Sequence, residues 1–134
     1  MTKPALRARY LAEAVATASP GQLVVMLYDR LVIDLMHAEK AMHAHDRETW
    51  SERLLHAQDI VAELRGSLDL TAWEAADGLA QLYGFLLTEL IKANVRRDAE
   101  RVVSCRLLVE PLRDAWHEAL AATQLAGAIP AQVG

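Results

Sequence analysis

Two pairs of an acidic residue and a histidine stand at helical spacing in this sequence. Such pairs are the parts from which di-iron sites in helix bundles are built. Asp34 and His37 are three positions apart, and Glu52 and His56 are four positions apart. A di-iron site needs two Glu-x-x-His pairs and two further glutamates on facing helices, and neither pair is repeated in that way. The sequence therefore predicts no metal site and no cofactor.

Covalent catalysis is not indicated either. A serine or cysteine nucleophile needs a base and an orienting group within reach. The serines Ser19, Ser51, Ser67 and Ser104 have no glycine-rich elbow around them, and Cys105 lies in an apolar stretch typical of a small core residue. No glycine-rich phosphate-binding loop occurs. We therefore predict that the protein is not an enzyme.

Composition narrows the remaining classes of function. The chain has 134 residues, enough for one domain, and a net charge of −4, which disfavours nucleic-acid binding. It carries no apolar run long enough to cross a membrane and a single cysteine, so we expect a cytoplasmic protein. Hydrophobic residues make up 53% of the chain. A core this small cannot enclose all of them, and exposed apolar surface usually marks a partner site.

The capping residues and prolines of the sequence predict four helices. Ser19 caps the first, Pro20 takes its first position and Gln22 completes a capping box, with an end near residues 43–45. Its apolar positions recur at alternating intervals of four and three, as a helix packed along one seam requires. They are Val24, Tyr28, Leu31, Leu35, Ala38 and Met42.

Three further segments show the same alternation. Their apolar stripes are Trp50, Leu54, Ala57, Val61, Leu64 and Leu68 in the second helix, Ala76, Leu79, Tyr83, Leu86, Leu90 and Ala93 in the third, and Val102, Cys105, Val109, Leu112, Trp116 and Ala119 in the fourth. The second helix begins after Asp46, the third opens at Thr71 and ends at Asn94, and Asp98 caps the fourth. Pro111 falls inside the fourth helix, but the apolar stripe stays in phase across it, so the helix is expected to continue with a kink.

Short links between long helices make sequential neighbours antiparallel. The predicted fold is therefore all-α, an antiparallel up-down four-helix bundle over residues 19–122. Residues 1–18 form an N-terminal segment outside it, and residues 123–134 are expected to be a disordered tail.

The helices carry more apolar residues than four core stripes need. The third and fourth are apolar around much of their circumference, which predicts a neighbour on a second side. The residues beyond the stripes are Leu23, Val25, Leu27, Val32 and Ile33 in the first helix, Leu55 and Ile60 in the second, Leu82, Phe85, Leu87 and Ile91 in the third, and Val103, Leu107 and Leu108 in the fourth.

Several blocks of the sequence, in this order, resemble the flagellin export chaperones of the FliS family. The blocks are Tyr10, then TASPGQLVVMLYD at 17–29, AQDIVAELRGSLD at 57–69, LYGFLLTELIKAN at 82–94 and LRDAW at 112–116. The chain departs from the family at Arg30, where a small residue is usual, and at Pro111.

The resemblance implies a cytoplasmic chaperone that binds the disordered C-terminal segment of flagellin. The segment wraps around the bundle and becomes partly helical, which prevents premature polymerisation. The resemblance further implies delivery to the flagellar type III export apparatus, and it leaves open contact with export-gate components by the loaded chaperone. No cofactor, nucleic acid or membrane insertion is implied, and both a monomer and a homodimer are compatible with it.

Motif matching also implies which residues form the flagellin groove. They are Tyr10, Leu27, Ile60, Leu64, Tyr83, Ile91 and Asn94. Ile60 and Ile91 are favoured because they lie off the core stripes, whereas Leu64 and Tyr83 are equally suited to the core and Asn94 to a helix cap. Tyr10 is expected to cover the groove of the free protein, with a flexible tail as the alternative.

Two other functions fit the same residues. One is a generic helical adaptor or dimerisation module that uses its apolar surface for self-association. The other, a metal-binding bundle enzyme, rests on the two acid–histidine pairs alone.

Overall fold

The computed structural model describes residues 20–71 and 74–133, and these residues form an all-α, up-down bundle, as predicted. The first helix packs against the second helix on one side and against the fourth on another. The third helix packs against both the second and the fourth. The four helices are α1 (Pro20–His43), α2 (Arg47–Gly66), α3 (Ala76–Arg96) and α4 (Ala99–Val133).

Two of the predicted helix starts are confirmed by their capping bonds. The Asp46 carboxylate accepts hydrogen bonds from the backbone N–H of Thr49 at 3.1 Å and from its hydroxyl at 2.7 Å. These bonds hold the pKa of Asp46 below its usual value. Asp98 caps α4 in the same way, accepting from the Arg101 N–H at 3.1 Å. The predicted cap of α1, Ser19, lies outside the described residues.

The predicted start of α3 at Thr71 is wrong, because the helix begins at Ala76. Both the N–H and the hydroxyl of Thr71 donate to the Asp69 carboxylate, at 2.9 and 2.6 Å. Asp69 thereby holds Thr71 in a local turn, an arrangement that competes with helix capping. Ala75 stands at the N-cap instead and supplies no side-chain bond.

The predicted end of α3 at Asn94 is also wrong, by two residues. The helix continues to Arg96 and ends where Arg97 adopts the left-handed conformation, with φ of 50°. The Arg97 guanidinium lies 5.5 Å from the centre of the Trp50 ring, a cation–π contact that favours this position. Asn94 is left free to donate its side-chain amide to Ser51 Oγ at 3.5 Å, which joins α3 to α2.

Helix α4 runs through Pro111 without interruption, as predicted. It continues to Val133, eleven residues beyond the predicted end of the bundle at residue 122, and the disorder of residues 123–134 stays a prediction. Residues 1–18, predicted as a separate N-terminal segment, lie outside the described residues.

The core contains one hydrogen bond that crosses it diagonally. The hydroxyls of Tyr28 on α1 and Tyr83 on α3 are 2.5 Å apart, and both rings are buried. The Tyr28 ring also packs against Trp116 of α4, with ring centres 6.3 Å apart. Each tyrosine hydroxyl thus finds a partner in the interior, where an unpaired hydroxyl would be destabilising.

A buried carboxylate ties α1 to α2. Asp34 is fully buried and accepts a hydrogen bond from Arg53 Nη1 at 3.2 Å and one from His56 Nδ1. Arg30 adds an ion pair at 3.5 Å from its own helix. The acid of one acid–histidine pair therefore meets the histidine of the other, together with two arginines. In the described part of the chain, no three His, Cys, Asp or Glu side chains are grouped closely enough to hold a metal ion.

We expect Asp34→Ala to lower the free energy of unfolding by about 2 to 3 kcal/mol, because it leaves Arg53 without its anion. Arg30→Ala should change it by less than about 0.5 kcal/mol, because Arg30 is half exposed. Urea unfolding followed by circular dichroism measures both. Equal losses for the two variants would contradict the assignment of Asp34 as the anchor of this cluster.

The buried thiol and phenols predict a loss of stability at alkaline pH. Burial raises the pKa of Cys105 from 9.0 to about 11, and burial also raises the pKa values of Tyr28 and Tyr83 above their usual value of 10.0. Above pH 9 the unfolded chain therefore holds fewer protons than the folded one, so stability is complete below that pH and falls as pH rises.

The Cys105 contribution is at most about 1.4 kcal/mol for each pH unit. In urea titrations at a series of pH values, Cys105→Ala should show a shallower decline than the wild type between pH 9 and 11. Parallel pH profiles for the two proteins would contradict the assignment.

Candidate partner-binding trough

The structure leaves a subset of the apolar residues beyond the stripes on the surface, which confirms that the bundle cannot enclose them all. Val25, Val32 and Ile60 are buried. Those that remain exposed are Ile33, Leu55, Phe85, Ile91, Leu107 and Leu108. Half of this exposed group lies beside the α3–α4 contact, which makes that contact the first place to look for a partner.

Two hollows lie along the α3–α4 contact, and we describe them as the upper and lower halves of one trough. The upper half lies near the turn that joins the two helices. This half has a volume of about 600 Å³. Its apolar walls are Phe85 from α3 and Leu107 and Leu108 from α4. Arg101 of α4 also lines this half. It forms ion pairs with Glu89 of α3 and with Asp98, the latter at 3.3 Å.

The lower half of the trough is almost wholly apolar and measures about 550 Å³. Leu79 of α3 and Leu112 and Trp116 of α4 are only partly buried, although the sequence placed them on core stripes. The remaining lining residues are small: Ala75, Ala115 and Ala119. We refer to the two halves together as the α3/α4 trough.

The trough is open because small residues face each other across this contact. α3 and α4 share the smallest of the four helix–helix interfaces. The alanines at 75, 115 and 119 leave the helices without side chains long enough to close the gap, and at Gly78 an added Cβ would meet no atom within 4 Å. The trough is therefore a property of the sequence, and an apolar groove between two helices is a kind of surface on which a partner's amphipathic helix can lie.

Cys105 lies beneath the upper half and is the nearest candidate for chemistry there. Its side chain is buried, and burial raises its pKa to about 11, so it remains a neutral thiol at physiological pH. The neighbouring Glu89 and Arg101 neutralise each other. The arrangement of these described residues suits binding of an apolar surface and offers no activated nucleophile.

The predicted groove residues do not gather in one place. Leu64 and Tyr83 are buried in the core, and Leu27 is partly buried against it. Tyr10 lies outside the described residues. Ile91 is 50% exposed on α3, as expected for a residue beyond the stripe. It lies with Asn94 on the side of α3 that faces α2, away from the trough.

The placement of Ile60 at the surface is wrong, since its side chain is only 5% exposed. α1 and α2 share the largest helix–helix interface in the bundle. α2 is therefore covered on its α1 side as well as on its core side, and the buried width of this helix exceeds a single stripe. Ile60 consequently acts in packing.

The structure adds trough residues that the groove prediction missed. Phe85, Leu107 and Leu108 had been noted as apolar residues beyond the stripes, but nothing in their spacing placed them together. A usable signal was the set of small residues on α3 and α4, because alanine and glycine at facing positions indicate a gap between helices. The sequence did not identify Leu112 and Trp116, because a core-stripe residue beside a gap between helices has the same spacing as a fully buried one.

Comparisons with known proteins agree on one family. A family model described as flagellar protein FliS matches residues 1–123. The flagellar secretion chaperone FliS of Bacillus subtilis is 31% identical over 111 residues, which are 83% of each chain. Its namesake in Escherichia coli is 33% identical over 114 residues, 84% of each chain.

A solved structure described as a flagellar chaperone from bacteria has the same fold. It superposes with a TM-score of 0.71 over 90% of this chain and 99% of that one, at 20% sequence identity. In the described part of the chain, no helix combines the length and hydrophobicity that crossing a bilayer requires.

Proposed function

The chain belongs to the FliS family of flagellar secretion chaperones, and on this premise we propose that it binds the C-terminal segment of flagellin. The observation that carries the proposal is the α3/α4 trough, an apolar groove that runs along two helices of a protein from a chaperone family. An amphipathic helix of flagellin lies in this trough with its apolar face inward.

The chemistry of the two partners supports this assignment. The end of a protein that polymerises must present apolar side chains, because it later packs against copies of itself. Left free, such an end aggregates, whereas the trough offers it an equivalent apolar surface. Ordering of the segment on binding consumes about 2 to 5 kcal/mol of the contact energy, which keeps the complex releasable.

We infer the cellular role from the same binding. The chaperone holds flagellin in the cytoplasm, prevents premature assembly and delivers it to the flagellar type III export apparatus. It acts by binding alone, without catalysis or a cofactor. Ile91 and Asn94 remain proposed contacts of the same segment, on the side of α3 that faces α2.

Isothermal titration calorimetry with the C-terminal segment of flagellin from the same organism tests the proposal. We expect saturable binding with one segment for each chain. We also expect a negative heat-capacity change, because the trough and the segment bury apolar surface together. The absence of saturable heat, under conditions in which both components are soluble, would contradict the proposed function.

We further propose that the N-terminal segment covers the trough in the free protein. The segment joins α1 at Pro20, and a Cβ added at Gly21 would lie 3.4 Å from Leu120 Cδ1 of α4. Leu120 directly follows Ala119, which lines the lower half of the trough. A segment that includes Tyr10 therefore starts close enough to enter it.

Deletion of residues 1–15 tests this cover. Because flagellin no longer has to displace the segment, the truncated chaperone should bind the flagellin segment more tightly, by about three- to tenfold. Calorimetry on the two proteins measures the difference. An unchanged affinity would argue for an N-terminal segment that does not occupy the trough.

A further inference from the structure

Pro111 stands in the interior of α4, and the helix runs through it over the whole range Ala99–Val133. Proline has no backbone N–H and is the residue least suited to a helix interior. A sequence that breaks a local rule of this kind is expected to do so where the residue serves a function. Pro111 directly precedes Leu112, a lining residue of the α3/α4 trough, so the effect of the proline falls on the binding surface.

The proline leaves one backbone carbonyl of α4 without its usual donor. In an α-helix each carbonyl accepts a hydrogen bond from the N–H four residues further along. For the carbonyl of Leu107 that residue is Pro111, which has no N–H to donate. Among the described residues, no side chain donates to this carbonyl in its place. The Leu107 carbonyl is therefore an acceptor that the helix itself does not use.

This carbonyl lies on the wall of the trough. Leu107 and Leu108 line the upper half, and Leu112 lines the lower half. The carbonyls of a helix point toward its C-terminal end, so that of Leu107 points toward the junction of the two halves. Leu107 is 60% exposed and Pro111 is exposed as well, which gives water access to this carbonyl in the free protein.

A helix that docks in the trough removes that water. The walls on either side of the junction are apolar, formed by Phe85 and Leu108 above it and by Leu112 and Trp116 below it. A carbonyl that loses its water and finds no other donor weakens the complex. A well-fitting partner must therefore bring a hydrogen-bond donor to this point.

We propose that the Leu107 carbonyl accepts a hydrogen bond from one polar side chain of the flagellin segment, and that this bond sets the register of the segment in the trough. The proposal rests on the proposed function above. Apolar contacts have no preferred direction, so they alone would let a helix shift along the groove. A hydrogen bond to a fixed backbone atom requires one distance and one angle, and it selects a single position.

The chemistry of the junction identifies the donor as a neutral hydroxyl or amide, which serine, threonine, asparagine and glutamine carry. A lysine ammonium would lose its hydration among apolar side chains, at a much higher cost than an amide. The carboxylates of the upper half do not compensate for that loss. Glu89 and Asp98 are paired with Arg101, and Glu100 lies about two turns of helix away from Leu107.

Carbonyl resonances of the full-length chaperone report this bond directly. If leucine is labelled with ¹³C at the carbonyl and with ¹⁵N at the amide, only Leu–Leu steps give a signal that correlates the two nuclei. The chain has three such steps, at residues 54–55, 86–87 and 107–108. On addition of the flagellin C-terminal segment, the Leu107 carbonyl should move downfield, as a newly bonded carbonyl does. The carbonyls of Leu54 and Leu86, which are core residues, should move less.

Pro111→Ala restores the missing N–H, so the Leu107 carbonyl bonds within α4 and is no longer offered to the segment. We expect this variant to melt at a higher temperature than the wild type and to bind the segment about three- to tenfold more weakly in calorimetry. Its Leu107 carbonyl resonance should lie downfield before the segment is added and should move little on binding.

Gly66→Ala is the matched control. It also raises helix propensity, but in α2, outside the lining of the trough, and the added Cβ meets no atom within 4 Å. The Gly66→Ala protein should bind the segment as the wild type does, which separates a gain in helix stability from the loss of the acceptor.

Two results would overturn the inference and leave the proposed function in place, provided that the wild type binds and Leu108→Asp weakens binding. One is a Leu107 carbonyl resonance that does not move at saturation, even if Pro111→Ala binds more weakly, since the bend of α4 would then explain the loss. The other is a Pro111→Ala protein with wild-type affinity. If the wild type does not bind the segment at all, the proposed function fails and this inference fails with it.

Discussion

Replacing Ile60 with aspartate should destabilise the bundle by at least about 4 kcal/mol, enough to unfold many domains of this size. The side chain is only 5% exposed and belongs to the core, one turn along α2 from His56, which contacts Asp34 of α1. The variant loses the burial of the three isoleucine carbons beyond Cβ. It also places a carboxylate in the core, where the cations at the neighbouring positions, Arg53 and His56, are already held by Asp34. Urea unfolding followed by circular dichroism gives the difference.

Ile91→Asp is the matched comparison, because Ile91 is half exposed and should lose less than about 1 kcal/mol. If Ile60→Asp does not fold at all, Ile60→Ala should fold with a loss of about 2 to 4 kcal/mol. An Ile60→Asp protein as stable as the Ile91→Asp protein would show that Ile60 lies at the surface, as the motif matching had suggested.

Replacing Leu108 with aspartate should reduce the affinity for the flagellin segment by about thirty- to a thousandfold, equivalent to about 2 to 4 kcal/mol. Leu108 stands on the wall of the upper half of the trough, opposite Phe85. An aspartate there faces the apolar side of the incoming helix and would have to be desolvated beside Glu89 when the complex forms. Calorimetry on the full-length variant measures the loss.

Met36→Asp controls for a new charge at an exposed apolar site, since Met36 lies on α1 and outside the lining of the trough. Both variants should keep the wild-type unfolding midpoint to within a few degrees. A Leu108→Asp protein that binds the segment as tightly as the Met36→Asp protein would place the flagellin site elsewhere on the bundle.

The helices were predictable where the sequence carries its own boundary signals. Asp46 and Asp98 precede apolar repeats and cap α2 and α4, as their side-chain bonds show. Pro20 stands at the first position of α1, where its missing N–H costs nothing. In these cases the local chemistry of a few residues decides where the helix begins, and one sequence is sufficient to read it.

The boundaries of α3 were missed because neighbouring residues compete for the same groups. Threonine is a common N-cap residue, but the Thr71 hydroxyl donates its hydrogen bond to Asp69 instead. Asparagine often ends a helix, but here Arg97 adopts the left-handed conformation that ends α3, and its guanidinium lies over the Trp50 ring. The first outcome depends on an acceptor two residues away and the second on a ring in α2, so the propensity of the residue itself could not have selected either.

The candidate site was predictable in kind but not in place. The excess of apolar residues on the third and fourth helices correctly indicated an uncovered surface between or beside them. Which residues form it depends on the width of the gap between α3 and α4, and that width is set by small residues at facing positions. Ile60 and Ile91 look equivalent on a helical repeat, yet the neighbouring α1 buries one and leaves the other exposed.

The central claim is that flagellin lies in the α3/α4 trough, and nuclear magnetic resonance mapping of the complex tests it most directly. On addition of the flagellin C-terminal segment to the labelled full-length chaperone, the largest chemical-shift changes should occur at Phe85, Leu108 and Leu112, with little change at Met36. Intermolecular contacts from these side chains to the segment should accompany them. Saturable binding with shifts confined to the outer face of α1, and an unperturbed trough, would contradict the account.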